Sequence, residues 1–404
     1  MRISTLLKVS LISLIILSNS IAALSSPDNA TIYSDSINKS KKNKEPKKER
    51  AFTIEAAYTG DFLYNLAGGN KQGFAYLGNV DLIVSFDTEK ANLWKGGTLF
   101  AYGLNNHGTS ISELVGDIQG VDNIETGAKT KLYQLWYNQK FGSWDFTIGQ
   151  HDLNSEFSNT ESAGHFINSS FGIQPDISAN VPVSIFPFAT MGFISRWKAN
   201  DNFTLMLGVY AGEPQDKDQS YFLNLDITKS EGAVSIFEAQ YRFNRKNRPF
   251  GTIKAGMWNH SVSSSSHATS TNYGFYLIGD FKLFYEDNNS EQGLSVFSQI
   301  GYVPKDVNLV NYYSSIGLVY QGLIPNRDSD VIGFAANNLA FNQNFDYEDQ
   351  IISFKNEGIL ELFYKVDLGS HLMLQPDLQY VINPALSNGG DNAFLASLRF
   401  VASF

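Results

Sequence analysis

Several side chains of this sequence could bind a solute that carries many hydroxyl groups. Carboxylates and amides accept hydrogen bonds from hydroxyls, arginine donates them in a fixed fork, and a tryptophan ring offers a flat apolar face. Binding through such groups can be weak and reversible, and it leaves the solute chemically unchanged. The candidates are Asp152, Glu156, Asn168, Arg196, Arg327, Glu361, Arg399, Trp136 and Trp258.

Little in the sequence supports catalysis or a cofactor. The nearest pair of nucleophile and base is Ser155 with His151, and no third residue completes a triad. Cysteine is absent, which excludes disulfides and thiolate chemistry, and no metal-ligand spacing or phosphate-binding glycine loop occurs. His107 and Asp117 could bind an ion, but stabilisation of a turn by Asp117 is the simpler interpretation. We therefore expect no enzymatic activity and no cofactor.

The candidates must be held by extended strands, and the last strand shows the pattern most clearly. Between Asn392 and Phe404, apolar side chains alternate with a mixed set that includes Arg399. Successive side chains of a strand point to opposite faces, so one face is apolar and the other is polar. About 9–11 tilted residues cross a bilayer as a strand. In lipid every backbone group needs a partner, so such strands must close into a barrel.

Alternating segments bounded by Gly, Pro, Asn and Asp predict an all-β fold, a transmembrane antiparallel up-and-down β-barrel of sixteen strands. An even number of strands returns both chain ends to the periplasm. Such a barrel is expected to leave an aqueous channel rather than a packed core. The predicted spans are 51–65, 73–87, 96–106, 129–141, 143–153, 189–199, 202–212, 232–243, 251–262, 272–285, 293–303, 311–323, 330–341, 355–368, 372–383 and 392–404.

The connections support this count. They are mostly short after even-numbered strands and mostly long after odd-numbered ones, which is typical of periplasmic turns and external loops. The longest connection, 154–188, contains several Phe residues that favour folding into the lumen over an external flap. We hypothesise that Glu156 and Arg196 contribute to the narrowest point. An Arg or Lys at the lipid midplane costs about 2–4 kcal/mol, so the charged strand residues should face the lumen: Arg196, Lys254, Glu238, Glu361, Asp377 and Arg399.

The first 50 residues are expected to lie outside the barrel. A charged start, the short apolar run Val9–Leu17 and small residues up to Ala22 have the form of a signal peptide, residues 1–22. Residues 23–50 are predicted to be a disordered basic tail, and a solvated spacer is favoured over a patch for an anionic partner. Residues 51–404 form the barrel. The chain has a net charge of −10, and the basic tail leaves the barrel more acidic still, so nucleic acid is not an expected partner.

A series of short segments between Gly73 and Phe404 carries a family resemblance. The segments are Phe86–Gly97, His107–Gly108, Gly116–Glu125, Leu132–Tyr137, Gly149–Phe157, Phe166–Gly172, Pro304, Gly322–Asp330 and Gln375–Pro384. In their number and order they resemble the carbohydrate-selective porins of the OprB family. The resemblance does not extend to the tail, residues 23–50.

The resemblance implies an outer-membrane porin whose water-filled channel lets monosaccharides and similar small carbohydrates diffuse passively. The constriction of such a porin is implied to mix polar, charged and aromatic groups, in agreement with the candidate residues. A general or weakly ion-selective diffusion porin is the alternative. The expected partners are small sugars, outer-membrane lipid and, through the C-terminal strand, the barrel assembly machinery. The sequence leaves open whether the barrel is a monomer or a homo-oligomer.

Overall fold

The structure, a computed structural model, describes residues 50–214, 223, 232–245, 248–261, 271–286, 291–305, 308–343, 345–347, 350–352 and 354–404. The predicted signal peptide and, apart from Arg50, the predicted basic tail lie outside the described residues. Sixteen strands close into one barrel. They are β1 (Phe52–Ala67), β2 (Gly73–Asp87), β3 (Gly97–Gly108), β4 (Lys129–Phe141), β5 (Trp144–His151), β6 (Thr190–Lys198), β7 (Phe203–Ala211), β8 (Ala233–Arg245), β9 (Arg248–Ser261), β10 (Asn272–Tyr285), β11 (Gly293–Tyr302), β12 (Val310–Gln321), β13 (Val331–Phe341), β16 (Glu357–Asp367), β17 (Leu372–Ile382) and β18 (Ala393–Ser403).

The first and last strands close the barrel. They pair antiparallel, with Asp61 of β1 directly opposite Arg399 of β18. This confirms the predicted antiparallel barrel of sixteen strands, with boundaries that differ by a few residues at most; β9, for example, begins at Arg248. A small hairpin of β14 (Phe345–Tyr347) and β15 (Gln350–Ile352) lies between β13 and β16.

The two ends of the barrel carry different connections. The end that holds both barrel termini has short turns, such as residues 142–143 between β4 and β5 and residues 199–202 between β6 and β7. The opposite end gives rise to the long connections 109–128 and 152–189. Since both termini of a bacterial barrel lie on the periplasmic side, the short turns are periplasmic. The predicted sorting of connections by strand parity is confirmed.

The outer face of the strands carries apolar side chains that meet lipid, and charged side chains face inward to the lumen. On β7, Leu207 is 45% exposed on the outer face, whereas its neighbour Met206 is 2% exposed inside. The charged strand residues that were expected to face the lumen do so, and most of them bond to loops inside the barrel, as described below. Alternation along each strand therefore reports correctly which side chains meet lipid.

Part of the lumen is a packed core. Phe166 and Phe171, from the connection 152–189, pack against the wall residues Phe297 and Phe363. The rings of Phe166 and Phe363 meet edge to face, with their centroids 4.9 Å apart. This geometry is favourable for aromatic pairs. Apolar packing therefore occupies part of the interior, where the sequence predicts only an aqueous channel.

Aromatic rings mark the outer wall near the periplasmic end. Trp144 stacks on Phe146 and on Trp197, with centroid distances of 5.8 Å in both pairs. Phe193 continues the row, 6.2 Å from Phe146. Rings of this kind form the girdles that flank the apolar band of outer-membrane barrels. None of the helices among the described residues has the length and hydropathy needed to cross a bilayer.

Candidate functional site

Two external connections fold back into the barrel. The short inner loop, residues 109–128, buries Ile111 and Val121 completely, and the long inner loop, residues 152–189, does the same with Leu153, Phe157 and Phe171. Loops in the external medium would expose these side chains, so both loops use the lumen as their packing environment. The inward fold expected for 154–188 is confirmed. The inward position of the short inner loop is a finding that the sequence did not indicate.

Glu361 on β16 anchors the middle of the long inner loop. Its carboxylate accepts hydrogen bonds from the backbone N–H groups of Ile167, at 2.6 Å, and Asn168, at 3.1 Å. The side chain of Asn168 caps the short helix Ser169–Gly172 by accepting a hydrogen bond from the N–H of Ser170 at 3.1 Å. The structure thus brings the candidates Glu361 and Asn168 together, as groups that hold the loop in place.

Two further wall carboxylates hold the same loop. Glu238 on β8 accepts hydrogen bonds from the N–H of Ser158 at 3.0 Å and from the hydroxyl of Tyr276 at 2.6 Å. Asp280 on β10 accepts one from the N–H of Ser162 at 2.9 Å. Hydrogen bonds to an ionised acceptor are roughly twice as strong as neutral ones. The long inner loop is therefore fixed to the wall from β8 round to β16.

The short inner loop is held by β16 and β17. Glu357 accepts hydrogen bonds from the N–H groups of Ile118, at 3.1 Å, and Gln119, at 3.2 Å. Gln379 donates from its side-chain amide to the carbonyl oxygen of Val121 at 2.8 Å. Carboxylates and amides in the inward register of these strands therefore act as receptors for loop backbone.

A charged group lies between the long inner loop and the β5–β6 wall and is partly open to water. Arg196 on β6 forms an ion pair with Glu156 of the loop, and its Nη1 is 3.3 Å from Oδ2 of Asp145, which lies directly opposite on β5. The exposed fractions of these side chains are 23% for Arg196, 17% for Glu156 and 15% for Asp145. The candidates Glu156 and Arg196 meet here. Sequence reasoning missed Asp145, because alternation gives the facing of a residue and not its neighbours.

The two candidate tryptophans have different environments. Trp136 on β4 stacks on Phe100, with 4.5 Å between ring centroids, and its ring lies 5.7 Å from that of His151. It keeps 9% exposure and belongs to a buried cluster that includes Phe186 of the long inner loop. Trp258 on β9 is 1% exposed and packs in a cluster with Ile177 of the long inner loop. In this structure the loop covers the face of Trp258 that was considered as a platform for solute.

The remaining candidates lie apart from one another. Asp152 is 2% exposed and accepts a hydrogen bond from the N–H of Asn154 at 2.9 Å, which shapes the start of the long inner loop. Arg327 lies in the periplasmic turn between β12 and β13, where it pairs with Asp330 at 2.7 Å. Arg399 lies on the closing strand with 5% of its side chain exposed. The predicted set therefore divides into loop anchors, a rim residue and the partly open group at Arg196.

Burial changes the ionisation of loop carboxyls. It raises the pKa of Asp176 to about 7, and neither oxygen of this carboxyl has a hydrogen-bond partner among the described residues. Burial also raises the pKa of Glu125 to about 7, although the hydroxyls of Ser110 and Ser112 donate to it and oppose the shift. Both loops consequently carry carboxyl groups that titrate near neutral pH.

Sequence reasoning missed several polar residues that hold the site together. Glu357, Asp280 and Asp61 were not proposed as site residues, although each occupies the inward register of a strand. Lys254 was placed in the lumen correctly, and the structure adds its partner, since its Nζ donates to the carbonyl of Asn159 at 2.9 Å. The sequence feature that could have identified Glu357, Asp280 and Asp61 is a carboxylate in the inward register of a strand. Among the described residues, no group of three or more His, Asp or Glu side chains is arranged to hold a metal.

A closed antiparallel barrel with inward-folded loops and a partly exposed charged group in its lumen is typical of an outer-membrane porin. The model of one family, the carbohydrate-selective porins of the OprB family, matches residues 71–404. The chain belongs to this family, and it is a channel protein of the bacterial outer membrane.

Individual relatives agree with this assignment. Porin B of Pseudomonas aeruginosa is 23% identical over 410 residues, which cover 88% of both chains. The putative porin QuiX of Acinetobacter baylyi is 23% identical over 404 residues, 88% of this chain and 90% of that protein. The high-pH structure of OprB from Pseudomonas putida superposes with a TM-score of 0.78 at 21% identity, covering 88% of this chain and 94% of that one. The structural likeness confirms the fold.

Proposed function

We propose that the channel admits monosaccharides and similar small carbohydrates by passive diffusion, and that Arg196, Glu156 and Asp145 form the contact at its narrowest part. The family supports carbohydrates as the class of solute. The observation that supports the contact is the partial exposure of this ion-paired group between the long inner loop and the wall. Arginine donates hydrogen bonds and the carboxylates accept them, so both halves of a sugar hydroxyl have a partner.

The charge of the group disfavours anionic solutes. One guanidinium is paired with two carboxylates, which leaves an excess of negative charge that repels anions. The ion pairs also keep each charged group from holding a solute too tightly, and a channel needs sites that release what they bind. Trp136, which lies beside His151, supplies an apolar ring edge near this path.

Liposome swelling with a panel of sugars tests this function. Vesicles that contain the folded protein should swell in glucose and other monosaccharides and respond much less to a trisaccharide such as raffinose. Equal rates for sugars of different size, after correction for their diffusion in water, would contradict a carbohydrate-selective constriction.

A general or weakly cation-selective porin is the second candidate. It is favoured by the acidic balance of the chain, whose net charge is −10, and by the two carboxylates beside Arg196. The reversal potential under a KCl gradient, measured with and without glucose, separates the two functions. A sugar-selective channel loses current when glucose is added, whereas a general porin keeps its current and its ion preference.

The C-terminal strand is proposed to be the segment that the barrel assembly machinery recognises. Phe404 is 80% exposed at the periplasmic end, next to the seam where its N–H donates to the carbonyl of Ala56. Deletion of Phe404 should lower the amount of folded porin in the outer membrane. The purified variant should still refold in detergent, because few contacts of the barrel depend on this residue.

A further inference from the structure

Arg399 connects the two strands that close the barrel. Its Nε lies 2.8 Å from Oδ1 of Asp61 and its Nη2 lies 2.6 Å from Oδ2 of the same residue. The two residues are directly opposite each other in the register of β18 and β1. The exposed fractions of the side chains are 5% for Arg399 and 0% for Asp61. A bidentate, buried ion pair therefore fixes the closing seam from the inside.

The same guanidinium also holds the short inner loop. Its Nη2 lies 2.8 Å from Oδ1 of Asn123 and 3.3 Å from Oδ1 of Asp122. Asp122 and Asn123 are 0% and 2% exposed. Arginine can serve both partners at once because its planar group carries five N–H donors in a fixed arrangement. Since so little of the Arg399 side chain is open to water, a passing solute has little of it to contact.

The short inner loop in turn supports the long one. The N–H of Asn123 donates to the carbonyl of Ile167 at 2.9 Å, and the N–H of Ser169 donates to the carbonyl of Gly120 at 2.8 Å. Displacement of residues 120–123 would therefore remove two backbone hydrogen bonds from the segment that Glu361 anchors. The contacts run without a gap from the closing seam, through Asp122 and Asn123, to the loop that carries Glu156.

We infer that Arg399 is a positioning residue that couples closure of the barrel to docking of the two inner loops. The receptor for Asp122 and Asn123 is complete only when β18 has paired with β1, because Asp61 orients the guanidinium and comes from the other end of the chain. Closure creates the site that draws the short inner loop inward, and the short inner loop then supports the long one. This rests on the proposed function in one respect, namely that the docked loops set the size limit of the channel.

The test compares a variant that weakens only the contact of Arg399 with the short inner loop and a variant that also removes its contact with Asp61. The double variant Asp122→Asn with Asn123→Ala weakens the loop contact and leaves the pair of Arg399 with Asp61 intact, so the barrel should still close. Arg399→Gln removes both contacts. Arg242→Gln is the matched control, since this arginine also lies in the inward register of its strand, β8, near the periplasmic end. Closure is followed by the heat-dependent mobility of the folded protein on a denaturing gel.

The loop-side double variant is expected to fold like the wild type, to conduct more current per channel, and to admit raffinose faster than the wild type does. Amide hydrogen exchange at Asn123 and Ser169 should accelerate, while exchange within β1 and β18 stays unchanged. Arg399→Gln should show the same opening together with a less heat-resistant barrel. Arg242→Gln should match the wild type.

Wild-type conductance and unchanged exchange in the loop-side variant would overturn the inference, whatever Arg399→Gln does. Conductance and exchange need no sugar, so they decide the role of Arg399 even if the wild type fails to discriminate between glucose and raffinose. That failure would contradict the proposed function alone.

Discussion

Arg196 on β6 and Glu156 in the long inner loop form an ion pair inside the lumen, although 40 residues separate them in the sequence. The pair exists because the loop turns back into the barrel and is anchored there by carboxylates of the wall. The pair joins the rigid strand β6 to the long inner loop, and it lies where we propose that the solute makes contact.

Replacement of Glu156 tests the contact with solute. In Glu156→Gln, the block of single-channel current by glucose should weaken about tenfold, which corresponds to a loss of ~1.4 kcal/mol. Arg196→Ala should act in the same direction, because it removes the donor side of the group. Glu113→Gln is the control, since Glu113 is an exposed carboxylate of the short inner loop. If glucose blocks the current of both site variants as strongly as that of the wild type, this group does not form part of the constriction.

Replacement of Glu361 tests the anchoring of the long inner loop. In Glu361→Gln, an amide nitrogen replaces one of the two oxygens that accept from the N–H groups of Ile167 and Asn168, so one buried N–H loses its acceptor at a cost of about 1–3 kcal/mol. Hydrogen exchange at these two amides should therefore accelerate, and the open-channel current should become noisier. The control is Glu55→Gln on β1, which should leave both amides protected. Equal protection in wild type and Glu361→Gln would show that the loop is held by other contacts.

Arginine substitutions on the lipid face and on the lumen face of the barrel wall test which side chains of each strand face the lipid. Leu207→Arg places a guanidinium on the lipid face of β7 and should destabilise the barrel by about 2–4 kcal/mol near the midplane. Thr252→Arg places the same group in the inward register of β9, next to water, and should have a much smaller effect. Unfolding in liposomes by urea, followed by tryptophan fluorescence, measures both. Similar losses would contradict the assigned facing.

The buried carboxyl of Asp176 predicts a dependence of stability on pH. Burial raises its pKa from 3.8 to about 7, so the docked loop favours the protonated form. The docked state is therefore most stable at low pH and loses stability as the pH rises from about 4 towards and through 7. Asp176→Asn removes this titration. Between pH 5 and pH 8, the wild type should lose up to about 3 kcal/mol more free energy of unfolding than the variant. Parallel pH profiles would contradict the prediction.

Alternation along the strands was sufficient to predict the barrel. Leu207 and Lys254 illustrate why, since lipid outside and water inside dictate the side chain at each position of a strand independently of its neighbours. Loops obey no such period. Ile118 and Val121 of the short inner loop are buried by a wall that lies more than two hundred residues further along the chain, so no local pattern could indicate their position.

The same reason limited the prediction of the site. Glu156 and Arg196 were predicted to contribute to the same narrow point, and the structure adds that the two form an ion pair. Trp258 was considered as a platform for solute, and its burial depends on Ile177 and neighbouring loop residues that cover it. Arg399 was recognised as facing the lumen. Its contacts with Asp61 and Asp122 could not be predicted from the sequence, because they form only when the first and last strands of the barrel come together.

A glucose titration of the single-channel current through the wild-type protein tests the central claim most directly. A channel narrowed by the inner loops and lined by Arg196 and Glu156 should lose current in a saturable way as glucose is added, and should lose much less with raffinose at equal viscosity. Open channels whose current falls equally with both sugars, in proportion to viscosity alone, would contradict the account.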